Sequence, residues 1–430
     1  MHLERSTKFQ QAQMKVKGDL MKKASSIFGV AMLATLLLSA SLAVGQIQDD
    51  MVVGIPSGED SFTFLDGSVG SLMDHAGTLI HLEDARTAYP TITGAGYTVA
   101  VLDTGVDYTH PALSGRYVGG YDYVNGDGDP DDDNGHGTHV TGIAASSDST
   151  YMGLAPEAGY AGLKVLSSSG SGSSTTIENG LQWVINNRAA YNIVAVNMSL
   201  GTLATYNTPI TSQYSDELSS LKNAGVFIAV SSGNDWYNHQ PNQGVAYPAA
   251  DPSAVAVGDV WTANFGGVTW GSGARDYSTA PDRVVSHCDR SSSMLDLLAP
   301  GALITSAAYN WEGGNPDFVQ KGGTSMASPA VAGLAVLIRE AIEENWDPVD
   351  WPTGAGWQDT ILQIMKDSGV SVYDGDDEND NVTNLNGSFP RIDVLAALNS
   401  AVAVPEPSLL LLLCSGVAGL ALCTRRNRAA

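Results

Sequence analysis

Five short runs of this 430-residue chain, Tyr97–Leu102, Tyr160–Leu166, Ile193–Met198, Val226–Val230 and Ala254–Val257, are apolar at nearly every position instead of at every second one. Strands of that kind have two faces to bury and belong in the middle of a sheet covered on both sides. The intervening segments, among them Thr175–Arg188 and Ser212–Asn223, are long enough to carry a helix back across the sheet between parallel strands. The pattern predicts an α/β fold of three layers, a mostly parallel central sheet with helices on both faces. An apolar share of 43% and 47 glycines supply the core and the turns such a domain needs.

That topology also says where chemistry belongs. The first run ends directly in Asp103-Thr104-Gly105, so the Asp103 carboxylate emerges at the C-terminal end of a parallel strand, the edge on which open α/β sheets build their sites. His136 stands between glycines in Asn134-Gly135-His136-Gly137-Thr138-His139 and opens a predicted helix of small residues, which lets an imidazole approach other groups closely. Ser325 follows Gly322-Gly323-Thr324 at the head of the amphipathic segment Ser325–Asn345, where a helix N-terminus favours developing negative charge. A hydroxyl, an imidazole and a carboxylate make the set that nucleophilic acyl transfer uses: a nucleophile, its base, and an acid that orients the base.

The three boxes, Val101-Leu102-Asp103-Thr104-Gly105, Gly135-His136-Gly137-Thr138-His139-Val140 and Gly323-Thr324-Ser325-Met326-Ala327-Ser328-Pro329, resemble those of the subtilisin-like serine peptidases. The similarity runs from about Ile80 to about Ser400. It implies that Ser325 attacks the scissile carbonyl, that His136 takes and returns the proton, and that Asp103 holds the imidazole. It further implies that the Asn234 amide, in Ser231-Ser232-Gly233-Asn234, joins the Ser325 N–H as the oxyanion hole. Polypeptide substrates are expected to lie as an added strand between Ser169-Gly170-Ser171 and Ser199-Leu200-Gly201. Ala246, where many relatives have glycine, resembles the base of the first specificity pocket and predicts a shallower one. Asp235 at its rim points to a basic substrate residue.

Other features have plainer readings. Asp127, Asp129, Asp131 and Asp133 crowd the loop before His136 and are candidate ligands for a structural Ca²⁺, although the spacing is not that of an EF-hand. Asp374–Asp380 is a second acidic loop. No organic cofactor is expected. His136 and His139 lack the His-Glu-x-x-His pattern of zinc peptidases, so His139 is expected to be a packed helix residue. Cys288 stands alone in the body of the chain, because Cys414 and Cys423 lie in the C-terminal apolar stretch; it reads as a small buried residue. The Asn197-Met198-Ser199 sequon falls in a predicted core strand.

The ends carry targeting signals. Six basic residues precede the apolar run Ile27–Val44, which closes in Ala43-Val44-Gly45, the layout of a signal peptide over residues 1–45; an uncleaved anchor is the alternative. At the other end, residues 404–430 give Val404-Pro405-Glu406-Pro407, an apolar stretch Leu409–Cys423, and Arg425, Arg426 and Arg428. This order resembles the PEP-CTERM sorting signals of Gram-negative bacteria and implies processing by a membrane exosortase. The apolar helix is short for a span, at about 22 Å against roughly 30 Å of hydrocarbon, and a permanent tail anchor is the other reading.

Without the two ends, 43 acidic residues face 12 basic ones, which argues against nucleic acid as a partner. Residues 46–79 form a short pro-segment or N-terminal arm, too short for the folded pro-domain the resemblance implies, with an activation cut expected near Leu79 to Leu82. Residues 80–403 form the peptidase domain. The sequence thus points to a serine endopeptidase exported to the cell envelope or exterior. A catalytically silent binding protein of the same fold is the alternative from another class, whereas an α/β-hydrolase esterase is excluded by the order of the three residues.

Overall fold

The structure, a computed structural model, describes residues 45–46, 52–56, 62–65, 75–309, 317–375 and 379–403. Of the expected signal peptide, residues 1–45, only Gly45 is described, and the expected C-terminal sorting signal, residues 404–430, lies outside the described residues. The chain divides into a leading unit, Met1–Gln46, of which only Gly45 and Gln46 are described, and the unit Ile47–Ala430.

Within the second unit the chain starts with strands β1 (Val52–Gly54) and β2 (Phe62–Phe64) and helix α1 (Leu82–Ala88). Then come β3 (Thr98–Asp103), β4 (Tyr117–Asp122), α2 (His136–Ala145), β5 (Gly159–Lys164), β6 (Ser171–Ser173), α3 (Ser174–Asn187) and β7 (Ile193–Met198). They are followed by α4 (Ser215–Asn223), β8 (Phe227–Ser231), β9 (Val255–Val260), β10 (Val268–Trp270), β11 (Leu297–Pro300), β12 (Ile304–Ala307) and β13 (Phe318–Lys321). The last elements are α5 (Thr324–Asn345), α6 (Gly356–Ser368), β14 (Val370–Asp374), β15 (Gly387–Arg391) and α7 (Val394–Val402).

Nine strands form the central sheet in the order β14-β15-β11-β9-β8-β7-β3-β5-β4. Every pairing in it is parallel except that of β14 with β15 at one edge. The two-faced character of the strands is visible in their packing. Along β3, Val99 and Val101 join the apolar cluster built with α1, α2, α5, α6 and α7, while Ala100 and Leu102 join the cluster built with α3 and α4. All six β3 residues are buried, and each fully buried Val or Leu contributes roughly 1.5–3 kcal/mol. Helix α5 is buried almost throughout up to Ile342 because it is the core helix of its layer; its length and hydropathy match a membrane span, but it is buried in the protein.

The five strands expected from the sequence form within three residues of their predicted bounds, as do the helices. Strands β4, β11, β14 and β15 were not foreseen: Tyr117–Asp122 is glycine-rich and only partly buried, β14 and β15 are the outermost pair at one edge, and β11 beside them has only four residues. The arm differs most from expectation. Read from the sequence as lacking periodicity, it contains β1, which pairs antiparallel with β6, and β2, which pairs antiparallel with β10.

Candidate active site

The C-terminal end of β3 and the N-terminal end of α2 meet at Asp103 and His136. His136 Nδ1 lies 2.7 Å from Asp103 Oδ1, and both side chains are buried. The Thr104 N–H donates to the same carboxylate oxygen at 2.7 Å. The approach is that close because α2 begins His-Gly: a Cβ on Gly137 would lie 2.0 Å from the Gly105 carbonyl oxygen. A carboxylate on Nδ1 holds the imidazole ring in one orientation and leaves Nε2 as its other pole.

Asp132, in the middle of the acidic run, is the organiser of the loop before His136. Its Oδ1 accepts from Thr104 Oγ1 and from the N–H groups of Asn134 and Gly135 at 2.8–3.0 Å. Its Oδ2 accepts from the Thr138 N–H and Thr138 Oγ1 at 2.8 and 2.6 Å. Nothing in the spacing of the acidic run marks this aspartate, unlike its neighbours, as buried at the helix start.

Ser325 sits in the first turn of α5. Pro329, four residues on, has no N–H to offer the Ser325 carbonyl, which is taken instead by Ser199 Oγ at 2.7 Å. Asn197 Nδ2 donates to Ser199 Oγ at 3.0 Å, and Ser328 Oγ donates to Asn197 Oδ1 at 2.8 Å, so the head of α5 is fastened to the end of β7. Asn197 of the sequon is accordingly a buried core residue. Ser325 Oγ lies 3.4 Å from the Ser199 carbonyl oxygen. The Asn234 side chain accepts the Thr324 N–H at 3.0 Å and Thr324 Oγ1 at 2.9 Å. A backbone N–H can only meet the amide oxygen, so these contacts fix the orientation of the carboxamide and put its NH₂ on the opposite side.

The two substrate edges expected from the sequence lie on either side of a strand, and that strand is the chain's own β1. Gly54 and Gly201 exchange backbone hydrogen bonds of 3.0 and 2.9 Å, Ile55 N–H donates to the Gly170 carbonyl at 2.9 Å, and Gly54 pairs with Ser171. Val53 is fully buried in the apolar cluster that includes Leu166 and Leu200. Pro56, three residues on, borders a cavity of about 450 Å³ together with Asn234, Gly201 and Gly233.

Asp235 and an unforeseen residue meet at that cavity, and Ala246 packs against two of its lining residues, Gly201 and Gly233. The Ala246 methyl lies between two glycines, 2.9 Å from where a Cβ on Gly201 would stand and 3.3 Å from one on Gly233. Asp235 and Asp289 both line the cavity. Asp289 is fastened to the Asn234 loop, its N–H donating to the Gly233 carbonyl at 2.8 Å and its carbonyl accepting Ser232 Oγ at 2.8 Å. Burial pushes its carboxyl well above the usual carboxylate range. Cys288, next to it, is buried as expected, and burial raises its thiol likewise.

The calcium expectation does not fit the loop. Asp133 is engaged by Lys164, Asp129 by Tyr108 Oη at 2.7 Å, and Asp127 by the Asp129 N–H at 3.0 Å, so the four carboxylates are spent on protein partners or apart. Asp131 shares no donor with them; burial and then Asp107 raise its carboxyl. Among the described residues no group of three or more His, Cys, Asp or Glu is arranged to hold a metal ion. Asp374 of the second acidic loop is likewise bound to buried Arg290, at 2.6 Å. His139 is a packed helix residue, its Nε2 at 3.1 Å from both the Ile304 and Val319 carbonyls, and burial lowers its pKa well below the usual value.

The chain is similar to known proteins over most of its length. The model of the subtilase family matches residues 94–384, and that of the PEP-CTERM protein-sorting motif matches residues 403–426. The chain is 34% identical over 344 residues to serine protease AprX of Bacillus subtilis (strain 168), covering 74% of this chain and 70% of that one. It is 32% identical over 286 residues to thermitase of Thermoactinomyces vulgaris, covering 64% of this chain and 88% of that protein. A crystal structure of a cold adapted subtilisin-like serine proteinase aligns with 29% identity and a TM-score of 0.48, over 70% of this chain and 91% of that one. The matched region takes in Asp103, His136, Asn234 and Ser325, and the chain belongs to the subtilase family of serine proteases, with a PEP-CTERM sorting motif at its C-terminal end.

Proposed function

We propose that the protein is an exported endopeptidase that cleaves polypeptides through an acyl-enzyme. Ser325 Oγ attacks the scissile carbonyl as His136 Nε2 takes its proton; Asp103, on Nδ1, keeps the ring oriented and stabilises the imidazolium. The Ser325 N–H and the Asn234 amide receive the developing oxyanion, at a helix N-terminus whose dipole has the favourable sign. His136 then returns the proton to the leaving amine, and water repeats the sequence to release the acid.

The observation that carries this reading is the 2.7 Å contact of His136 with Asp103 in a chain whose Ser325 heads α5 beside Asn234. Replacing Ser325 by Ala in the purified protein is the test: casein hydrolysis and fluorophosphonate labelling should both disappear. Retained activity sinks the reading, and a wild type that stays unlabelled and inactive after release of its arm favours the silent binding protein.

Two further steps belong to the proposal. Residues 46–79 act as a short pro-segment by laying β1 where substrate would lie, which supports latency until the arm is displaced. The PEP-CTERM motif directs the chain to the envelope, where a membrane exosortase handles residues 404–430 and the apolar helix holds the protein in the membrane at least until then. Mass spectrometry of the mature protein distinguishes a cleaved tail from a retained one.

A further inference from the structure

The cavity beside Pro56 is not filled by the arm, and its chemistry is unlike that of an apolar pocket. Gly233 and Gly201 form its walls, and Gly233 must be glycine: its φ is +112°, and a Cβ there would stand 2.3 Å from Asp289 Oδ2. Asp289 is 2% exposed. Oδ2 accepts the Asp235 N–H at 3.2 Å, whereas Oδ1 is buried with no hydrogen-bond partner. The nearest imidazole nitrogen, His239 Nδ1, is 4.0 Å from it, outside hydrogen-bond range.

The adjacent cation is committed elsewhere. Arg290 gives Nη1 to Asp374 and Nε and Nη2 to the Cys288 and Val285 carbonyls. Among the described lining residues there are two carboxylates and no Lys or Arg. A buried carboxylate with an unmet oxygen is costly unless a donor, best a cationic one, arrives to meet it. A guanidinium or ammonium on a long apolar stem meets that need, its stem lying between the glycine walls.

We propose that Asp289 is the specificity-determining acid of the pocket that receives the substrate residue just before the scissile bond, and that it selects Lys or Arg there, with Asp235 as the second carboxylate at the mouth. This rests on the peptidase reading above. It assigns the selection chiefly to a residue outside the recognised substrate edges, held in place by the same loop that carries Asn234.

The test uses the matured protein, released from its arm, and four tetrapeptide amides that differ only in the last residue, Lys, Arg, Leu or Phe. Wild type should show a kcat/KM at least about 10-fold higher for Lys and Arg than for Leu. Asp289→Asn should remove most of that advantage. A second readout needs no variant: a peptide aldehyde ending in arginine should protect Ser325 from fluorophosphonate labelling at a concentration about 10-fold lower than its leucine counterpart. Labelling together with equal or better use of Leu and Phe overturns the assignment and leaves the peptidase reading standing. A wild type that is neither labelled nor active on any peptide overturns both.

Discussion

Gly54 and Gly201 face each other as an antiparallel pair, with Gly54 N–H to Gly201 O at 3.0 Å and Gly201 N–H to Gly54 O at 2.9 Å. A peptide held in this way is fixed by main-chain hydrogen bonds that any sequence can make, and its selectivity comes from the side chains that enter pockets. In β1 the buried anchor is Val53, and β2, paired with β10, fastens the chain again beyond the cleft.

Val53→Asp puts a carboxylate into an apolar site and should release the arm. The expected result is fluorophosphonate labelling of Ser325 at least about 10-fold faster than in the intact wild-type chain. Because the effect is on access, labelling of arm-trimmed protein should be the same with or without the substitution. Equal rates in the two intact chains would show that the arm does not limit access.

Asp132 binds five donors, so Asp132→Asn replaces some of them with a mismatched NH₂ in a buried site. A loss of about 1–3 kcal/mol in urea unfolding is expected for each donor or acceptor left unmet. kcat should fall more than KM rises, because His136 is held by this loop. Unchanged stability would mean that the loop is supported from elsewhere.

Arg290 and Asp374 form an ion pair with both side chains 0% exposed. Arg290→Met strands a buried carboxylate and should cost about 3–5 kcal/mol. Adding Asp374→Asn removes the stranded charge while keeping an acceptor for the Leu385 N–H, so the double variant should be more stable than the single one. Additive losses in thermal melts would contradict this coupling.

Burial pushes the Asp380 carboxyl up to about 6. The folded protein therefore keeps a proton that the unfolded chain gives up near pH 4, and stability falls as pH rises from about 4 through 6. Asp380→Asn has no such proton to lose. Its Tm relative to wild type should rise across that window and be level above about pH 7; a difference that does not vary with pH would rule out this origin.

Periodicity and local composition determined a good deal on their own. Strands apolar on both faces dictate a covered parallel sheet, and the ends of such strands announce where Asp103 and Asn234 must sit. Glycine next to His136 and small residues along its helix are readable as close approach, and the tertiary contact with Asp103 bears out that reading. Pro329 was visible as a residue, but its consequence, a Ser325 carbonyl handed to Ser199, required β7 and α5 to be side by side. The same holds for the acidic residues, whose spacing cannot say which carboxylate points inward: Asp132 is an internal organiser, Asp133 an ion-pair partner and Asp289 a buried acid with one unmet oxygen. Burial and partners are set by contacts between segments far apart in the chain. For that reason only the tertiary structure decided the pairing of the arm with β6, the dispersal of the proposed calcium ligands and the charge of the pocket.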